Sequence, residues 1–450
     1  MSKMKRMEEW LEAHPDIRAL RVAAADLNGV ARGKRVPVSS APKALAGGMR
    51  FPQSVLNLDI QGEDIAGSPL VLASGDQDGV LRPTERGFVP LPWLDTPTAL
   101  LPVWMYDEDD VPFAGDPRHA LAAVEDRLRG LGLRVVAAVE LEFFLIDDGG
   151  NALRVPASPR SGKRRVAGEI LSLRLLDQFD AFFTELYDGC AAMGIPADAT
   201  ISESGLGQFE VTLSHQEGAL KVADDAWLFK MLAKGLARKH GFCASFMAKP
   251  YADYAGTGMH MHASLLDAAG RNVFDDAGPE GTATLRHAVA GCLQAMSGGT
   301  LVFAPHANSY ARMVPGAHAP TGIAWAYENR TAAIRVPGGP PAARRIEHRM
   351  AGGDINPYLM LAAVLGGMAN GIEDGVAPAA PITGNAYDQN LPQVPGTWDA
   401  AIDAFEASAE MARIFPGLLR DNLVRTKRQE ARLMADLSVD EQNEIYLDTV

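Results

Sequence analysis

Alternation of apolar and polar residues predicts several strands, and the clearest one covers residues 137–146. Successive side chains of a strand point to opposite faces. Glu140 and Glu142 therefore share one face, and the apolar residues beside them form the other. An ionised carboxylate is costly to bury without a partner. The pair is explained either by a bound cation or by a solvated face, and this strand alone does not decide between them.

Other patterns predict a mixture of strands and helices along the rest of the chain. A hairpin is predicted from residues 17–22 and 30–36, which flank the turn residues 26–29. Helical spacing and capping residues predict helices over 1–14, 116–131, 171–193, 222–240 and 357–365, with a mostly helical tail from 398. A segment rich in glycine, proline and aspartate at 67–92 suits a small sheet-rich domain, and an acidic run at 107–110 indicates its boundary. We therefore predict an α+β protein with domains at 1–110 and 111–450.

Composition narrows the class of protein. The chain has 450 residues, of which 47% are hydrophobic and 22% charged, so a sizeable core can form without disulfides. A formal net charge of -14 argues against nucleic acid or an anionic membrane as a partner. The three scattered cysteines are expected to be buried thiols in a reducing compartment. With no signal peptide pattern and no apolar run of about 20 residues, we expect a cytoplasmic protein.

Three later segments carry more residues of the type that binds metals. Residues 201–213 read as strand, glycine turn and strand, residues 256–265 place two histidines at strand spacing, and residues 344–349 alternate charge with bulk. Each has an ordinary interpretation when taken alone: a surface turn, hydrogen-bonded core histidines and a solvated edge strand. The candidate ligands that they add are Glu203, Glu210, His260, His262 and Glu347.

The combined set indicates a particular chemistry. Oxygen-rich ligands suit Mg²⁺ or Mn²⁺ better than tetrahedral zinc. Arginines are also frequent in this half of the chain, and their guanidinium groups grip phosphate or carboxylate oxygens in pairs. The candidates are Arg312, Arg330, Arg335, Arg345 and Arg349. Hard metals beside arginines favour phosphoryl transfer from a nucleotide. Neither a Walker A motif nor a Gly-x-Gly-x-x-Gly turn between strand and helix is present, so the common nucleotide folds are not indicated.

Seven motifs in order resemble the type I glutamine synthetases and their γ-glutamylamide synthetase relatives, which include γ-glutamylpolyamine and γ-glutamylmethylamide synthetases. The resemblance covers nearly the whole chain. The motifs are Asp26 with Gly33-Lys34, the segments 140–144, 207–210, 258–262 and 308–316, residues 328–335, and Arg345-Ile346-Glu347.

The resemblance implies both a fold and an assembly. We expect an N-terminal β-grasp domain and a larger catalytic domain, in which helices back a curved, mainly antiparallel half-barrel sheet. The implied assembly is a dodecamer of two hexameric rings, with active sites between neighbouring subunits. ATP would be a co-substrate, and each active site would hold two or three Mg²⁺ or Mn²⁺ ions.

The resemblance also implies a role for each candidate residue. One metal would be held by Glu142, Glu203 and Glu210, and another by Glu140, His260 and Glu347. Glutamate would sit against Gly256, Arg312 and Arg349. Nucleotide phosphates would meet His262, Ser264, Arg330, Arg335 and Arg345. The predicted catalytic residues are Arg330, His318 and Asp26, the last reaching the amine from a neighbouring subunit.

Departures from the family pattern concern the acceptor. Where glutamine synthetases carry a flap glutamate, this chain has His318, and a neutral histidine supplies no negative charge to hold ammonium. Ala255 replaces an asparagine at the glutamate site, and Ala342 replaces a lysine near the nucleotide. We expect γ-glutamyl phosphate formation followed by attack of an organic amine. Tyr387 lies near a tyrosine that some bacterial relatives adenylylate, and we interpret it as an ordinary loop residue.

Three alternative functions follow from the same residues. A true glutamine synthetase is the alternative if His318 acts as the base and Asp26 holds ammonium. A non-catalytic sensor of nucleotide or amine would not need the complete set of ligands. A guanidino-type phosphotransferase is disfavoured by the segment that contains Asp26.

Overall fold

The first of two sheets lies in the N-terminal quarter of the protein. The structure is a computed structural model that describes residues 3–149, 153–314 and 319–450. The strands of this sheet are β1 (Ala19–Ala25), β2 (Ala31–Pro37), β3 (Met49–Pro52), β4 (Asp78–Pro83), β5 (Val89–Pro90) and β6 (Thr98–Tyr106). Their order is β2-β1-β6-β4-β3, with β5 on β6. Strands β1 and β6 run parallel, whereas β1 and β2 form the predicted hairpin, with Gly29 at a φ of +79° in its turn.

The second sheet has eight strands and is built around the longest of them. They are β7 (Arg134–Ile146), β8 (Ala197–Ser202), β9 (Gln208–Glu217), β10 (Cys243–Ser245), β11 (Met259–Leu266), β12 (Trp325–Tyr327), β13 (Ile334–Val336) and β14 (Ile346–His348). The order is β12-β13-β14-β11-β7-β9-β8, with β10 also on β7. Among the strands that the structure describes, the pairings are antiparallel except between β12 and β13. Strand β7 therefore holds three other strands in place.

Outside the two sheets, α-helices make up most of the regular secondary structure. They are α1 (Lys3–Ala13), α2 (Ala41–Leu45), α3 (Pro117–Gly130), α4 (Leu173–Leu176), α5 (Asp180–Met193), α6 (Ala219–Lys239), α7 (Ala283–Phe303), α8 (Ala307–Arg312), α9 (Pro357–Asp374), α10 (Trp398–Ala407), α11 (Ala409–Ile414), α12 (Gly417–Ala435) and α13 (Val439–Thr449). The single helix predicted over 171–193 is wrong. Leu171 has a φ of +56°, and a 3₁₀ turn at Asp177–Phe179 separates α4 from α5. None of the described helices is long and apolar enough to cross a membrane.

Two separate clusters of buried apolar side chains form the core. The smaller cluster packs the first sheet, and the larger one contains the inner face of β7 together with residues of α6, α7 and α9. Helices α7 and α9 cross at backbone contact distance: a Cβ added to Gly291 would lie 2.0 Å from the Gly367 carbonyl oxygen. The close crossing lets the helices form a dense layer behind the sheet, which leaves the other face of β7 free to carry polar residues. The three cysteines are buried thiols outside any disulfide, as expected.

A buried polar contact joins the turn after β1 to α12. The Glu430 carboxylate accepts hydrogen bonds from the Asn28 side chain at 2.9 Å, from the Ile60 backbone at 2.8 Å and from the Lys427 ammonium at 2.8 Å. Glu430 and Lys427 are 0% and 1% exposed. A buried charge pair is tolerated only when its remaining hydrogen bonds are satisfied. Here residues of the N-terminal region supply those hydrogen bonds to α12.

Replacing Asn356 with alanine is expected to lower the free energy of unfolding by about 2 kcal/mol. The side-chain oxygen caps α9 by accepting the backbone N–H groups of Tyr358 and Leu359 at 2.9 and 3.3 Å. The side-chain nitrogen donates to the backbone oxygens of Asp26 and Leu27 at 2.8 and 3.3 Å. Urea unfolding monitored by circular dichroism measures the loss.

The matched control is Thr397→Ala. The Thr397 hydroxyl caps α10 through the Ala400 N–H at 3.3 Å, and no second region is attached to it. Its removal should cost about 1 kcal/mol or less. Equal losses in the two variants would contradict a joining role for Asn356.

Candidate active site

The outward face of β7 carries the acidic residues that the sequence singled out. Val139, Leu141 and Phe143 are at most 1% exposed and belong to the core. Glu140 and Glu142 alternate with them and are partly buried on the opposite face. Successive side chains of a strand alternate between its two faces, and the apolar set is packed against helices. The acidic set therefore lies on the other face. The two carboxylates therefore point away from the core, as predicted.

Strand register brings the other candidate ligands beside β7. Glu210 on β9 is the cross-strand partner of Glu142, and His260 on β11 is the partner of Glu140. On the next strand, Glu347 is the partner of His262. Cross-strand neighbours have Cβ atoms about 5 Å apart. The antiparallel pairings thus gather residues from four strands on one face of the sheet.

Two groups of side chains have geometry suitable for a metal ion. In each group the candidate ligand atoms lie within 4.8 Å of one another. One group is Glu140, Glu210 and His260, and the other is Glu140, His262 and Glu347. These groups differ from the sets that the family resemblance implies, which join Glu210 to Glu142 and Glu203. Among the described residues, Glu140 is shared by both groups.

Histidines hold Glu140 in its ionised form. Its two carboxylate oxygens lie 3.2 Å from Nδ1 of His260 and 2.9 Å from Nε2 of His262. Burial raises the pKa of Glu140, but the hydrogen bonds and charges of the two histidines outweigh it and hold the pKa well below its usual range. Glu140 is therefore an anion poised between two imidazoles.

The neighbouring carboxylates are in the opposite electrostatic state. Burial, together with the charge of Glu203, raises the pKa of Glu142 to about 7. Burial, together with Glu140, Glu142 and Glu203, raises the pKa of Glu210 to about 9. Like charges held this close favour protonation unless a cation is present. This excess of negative charge fits a divalent cation, and the mixed oxygen and imidazole donors suit Mg²⁺ or Mn²⁺.

Arginines border the acidic cluster on the side of β13 and β14. The Arg335 guanidinium donates to Glu347 at 2.5 Å, and Arg349 also donates to Glu347. Nε of Arg349 donates to the Arg330 carbonyl oxygen at 3.2 Å, while the Arg330 side chain is exposed at the rim. Nε of Arg345 donates to Nδ1 of His262 at 3.2 Å. Cationic donors thus lie directly beside the candidate metal ligands.

Arg312 approaches the cluster from α8. It is 4% exposed, and one of its nitrogens donates to the Met350 carbonyl oxygen at 2.7 Å. Its charge acts on Glu142 and lowers the pKa of that residue against the effect of burial. A Cβ added to Gly256 would lie 2.7 Å from Cγ of Arg312 and 2.4 Å from the Ala248 oxygen. Any side chain at position 256 would collide with the Ala248 backbone and with the alkyl part of Arg312, so glycine is required there.

A cavity of about 700 Å³ opens beside the acidic cluster. The residues that line it include Glu140, His262, Ser264, Ala342 and Arg345. The Ser264 hydroxyl donates to the Arg344 carbonyl oxygen at 3.0 Å. The volume is within the range of about 300–1,000 Å³ that is usual for ligand sites. Three of the five residues predicted to meet nucleotide phosphates, namely His262, Ser264 and Arg345, thus line the same cavity as the candidate metal ligand Glu140.

The structure does not bring Asp26 into this cluster. Asp26 is 0% exposed and accepts hydrogen bonds from the Arg32 side chain at 2.7 Å and from the Asn28 and Val30 backbones at 2.8 and 2.9 Å. Burial raises its pKa to about 6, although Arg32 opposes the shift. Within its own chain this carboxylate is enclosed, and its approach to the amine of a neighbouring subunit stays a prediction. His318 lies outside the described residues.

Two residues of the site were missed by sequence reasoning. The Gln208 side chain donates to Glu142 at 3.1 Å and to the Gly256 carbonyl oxygen at 3.0 Å, so it joins β7 to the loop before β11. Glu328 has a φ of +51°, and its carboxylate pairs with Arg335 and accepts the Gly338 N–H. Both residues stand inside the quoted motifs, and their position there was the only available signal.

Comparison with known proteins gives four matches. Residues 114–446 match the family described as "Glutamine synthetase, catalytic domain". Gamma-glutamylputrescine synthetase PuuA of Escherichia coli (strain K12) is 37% identical over 393 residues, covering 85% of this chain and 82% of that protein. Glutamine synthetase of Thermus thermophilus is 34% identical over 405 residues, covering 86% of both chains. The solved structure titled "GmaS/ADP complex-Conformation 1" superposes with a TM-score of 0.83 at 28% identity, covering 97% of this chain and 98% of that one.

Proposed function

The chain belongs to the glutamine synthetase family, and from that premise we propose that it is an ATP-dependent ligase joining the γ-carboxylate of glutamate to an organic amine. The observation that carries the proposal is the juxtaposition of the acidic cluster, the arginines and the 700 Å³ cavity. Phosphoryl transfer needs charge neutralised on the donor oxygens and the acceptor oxygen held in line. Cationic and metal-binding groups on one sheet face are suited to both requirements.

Divalent metal ions fit the residues that are present. Glu140 would be shared between one ion held with Glu210 and His260 and another held with His262 and Glu347. Bound Mg²⁺ or Mn²⁺ would neutralise charge on the nucleotide phosphates and on the substrate carboxylate. Glu142 and Glu203, which the resemblance places on one of the ions, contribute negative charge to the same pocket.

The chain's own side chains would bind and orient the reactants. Arg345 and Ser264, which line the cavity, would contact nucleotide phosphates together with Arg335 on β13. Arg312 and Arg349 would hold carboxylate oxygens of glutamate through paired N–H groups. Orientation of this kind replaces a bimolecular encounter by a positioned one and is a large part of catalysis.

The chemistry proceeds through an activated acyl group. A carboxylate is a poor acyl donor, so its γ-oxygen would attack the terminal phosphorus of ATP, giving γ-glutamyl phosphate and ADP. The amine nitrogen would then form the C–N bond while the C–O bond to phosphate breaks. The amine loses a proton in this step, and His318 stays our prediction for its acceptor. Arg330, at the exposed rim, stays the predicted catalytic arginine.

Three observations support an organic amine as the acceptor. The sequence has His318 where glutamine synthetases have a flap glutamate, and Ala255 where they have asparagine. The first change removes the negative charge that would hold a small, strongly hydrated ammonium ion, and the second removes a polar contact at the glutamate site. The 37% identical relative is named a γ-glutamylputrescine synthetase, and putrescine is an organic diamine.

An acceptor panel tests the proposal. Purified protein with Mg²⁺, ATP and glutamate should release ADP only when an amine is added, and mass spectrometry should detect the γ-glutamylamide. Putrescine, ethanolamine, isopropylamine, methylamine and ammonium span diamines, amino alcohols, monoamines and the inorganic acceptor. Ammonium matching every organic amine would overturn the assigned acceptor class and favour a glutamine synthetase. No glutamate-dependent ADP release with any of them would overturn the ligase.

The assembly and the domain arrangement are also part of the proposal. We propose that residues 1–110 form a β-grasp domain and residues 111–450 a catalytic domain with a half-barrel sheet. The two apolar clusters and the start of the family match at residue 114 support this division. A dodecamer of two hexameric rings in the cytoplasm is the corresponding expectation for the whole protein.

A further inference from the structure

The loop that carries Tyr387 docks on the rim of the candidate active site. Residues Ala386–Asp388 form a short 3₁₀ turn, which the Asn385 side chain caps by accepting the Tyr387 N–H at 3.1 Å. The Asn329 side chain donates to the Gly384 carbonyl oxygen at 2.7 Å. These bonds determine where the tyrosine ring stands relative to the residues around Arg330.

A second contact ties the loop to the same turn. The Ala386 N–H donates to the Thr331 hydroxyl oxygen at 3.0 Å, and that hydroxyl donates to the Asn329 side chain at 2.7 Å. Arg330 lies between these two anchors, and its carbonyl oxygen accepts the bond from Arg349. The loop is therefore attached to the segment that also positions one of the proposed glutamate-binding arginines.

The Tyr387 hydroxyl is buried although the ring is only partly covered. It has no hydrogen-bond partner among residues 3–149, 153–314 and 319–450. Arg312 and Arg349 lie close enough for their charges to lower the pKa of this phenol, while burial raises it and prevails. The hydroxyl thus stays protonated and keeps a donor that no described group accepts. A buried donor of this kind is costly unless a partner arrives.

Arg312 and Arg349 bring further donors to the same place. Guanidinium groups donate and cannot accept. Among the described residues, Arg312 donates to the Met350 carbonyl oxygen, and Arg349 donates to the Arg330 carbonyl oxygen and to Glu347. A guanidinium group has five N–H donors, so these bonds use only part of each group. A ligand that meets two guanidinium groups and a phenol O–H must bring acceptor oxygens and negative charge. A carboxylate satisfies this requirement.

We propose that Tyr387 is a binding residue of the glutamate site, whose hydroxyl donates a hydrogen bond to the substrate carboxylate held by Arg312 and Arg349. The inference rests on the proposed function for the identity of the carboxylate. It assigns Tyr387 a substrate contact in place of its interpretation as an ordinary loop residue. It also means that the phenol oxygen faces the site and not the solvent.

Tyr387→Phe tests the contact because it removes only the hydroxyl. We expect the KM for glutamate to rise about tenfold, since a hydrogen bond to a charged group is lost. The KM for ATP should stay within about twofold of the wild-type value. Thr331→Val, which removes the anchor for Ala386, should raise the KM for glutamate in the same direction. An unchanged KM for glutamate in Tyr387→Phe, or an equal rise in both KM values, would overturn the proposal.

The control is Tyr327→Phe, in which the lost hydroxyl donates to the Glu280 carbonyl oxygen at 2.7 Å. Its KM for glutamate should not change. Calorimetric titration of glutamate into protein with Mg²⁺ and ADP separates this proposal from the proposed function. Glutamate bound more weakly by Tyr387→Phe supports the contact even if no amine is turned over, which would contradict the ligase alone. If the wild-type protein and Tyr387→Phe bind glutamate equally well, the contact alone is overturned. If neither protein binds glutamate, the contact and the proposed ligase function are both overturned.

Discussion

Glu140→Gln is expected to lower kcat at least about 10³-fold and to abolish the rise in melting temperature that Mg²⁺ produces. Glu140 belongs to both groups of candidate ligands, and its two oxygens face His260 and His262. The amide keeps the size of the side chain but brings no negative charge. Steady-state ADP release and a thermal-shift titration with MgCl₂ measure the two effects.

The matched control for this substitution is Glu217→Gln. Glu217 stands at the end of β9, where it pairs with Arg134 at an exposed position. Exposed pairs contribute little to stability, so the control should retain its activity and its response to Mg²⁺. Retention of more than about a tenth of wild-type kcat by Glu140→Gln would contradict the shared-ligand role.

Metal-free protein is expected to lose thermal stability as the pH rises from about 6 to 9. The rise in melting temperature that Mg²⁺ produces is expected to be largest at pH 9. The folded pKa values of Glu142 and Glu210 are raised to about 7 and about 9 from 4.5. Between those values and 4.5 the folded chain keeps protons that the unfolded chain has released. The free energy of unfolding therefore falls as the pH rises through this window.

The response to metal runs in the opposite direction. Mg²⁺ binds the ionised carboxylates, so it competes with protons, and its stabilising effect grows as the pH rises. Melting temperatures with EDTA and with excess MgCl₂, measured at pH 6, 7, 8 and 9 at constant ionic strength, give both trends. Equal gains from Mg²⁺ at pH 6 and pH 9 would show that these carboxylates do not face the ion.

Local patterns predicted those parts of the fold that depend on local physics. Strand β7, the β1–β2 hairpin and helix α6 follow from the period of apolar residues and from turn or capping residues. The late start of α4 was not predictable, because the left-handed Leu171 just before it is imposed by contacts with the distant Ser202. Nor was the crossing of α7 with α9, since it depends on glycines about 76 positions apart.

The same limit separates the composition of the candidate site from its arrangement. The residue types indicate a metal-binding acidic cluster only when all four segments are taken together, because two carboxylates on one strand face are explained equally well by a cation or by solvent. Which ligand stands beside which depends on the register between strands far apart in sequence. Register places Glu210 and His260 on either side of the two β7 glutamates. The burial of Asp26 likewise results from packing against Asn356, which lies 330 residues away.

The contact of Asn28 and Ile60 with Lys427 and Glu430 has a consequence for how such proteins can be recombined. The buried charge pair of α12 receives its remaining hydrogen bonds from the first sixty residues of the chain. A chimaera whose N-terminal region comes from a relative without the Asn28 side chain would leave the Lys427–Glu430 pair short of a hydrogen bond in its interior. Because Ile60 contributes only its backbone N–H, the side chains that constrain one another in evolution are Asn28, Lys427 and Glu430, and substitutions at these three positions are expected to occur together.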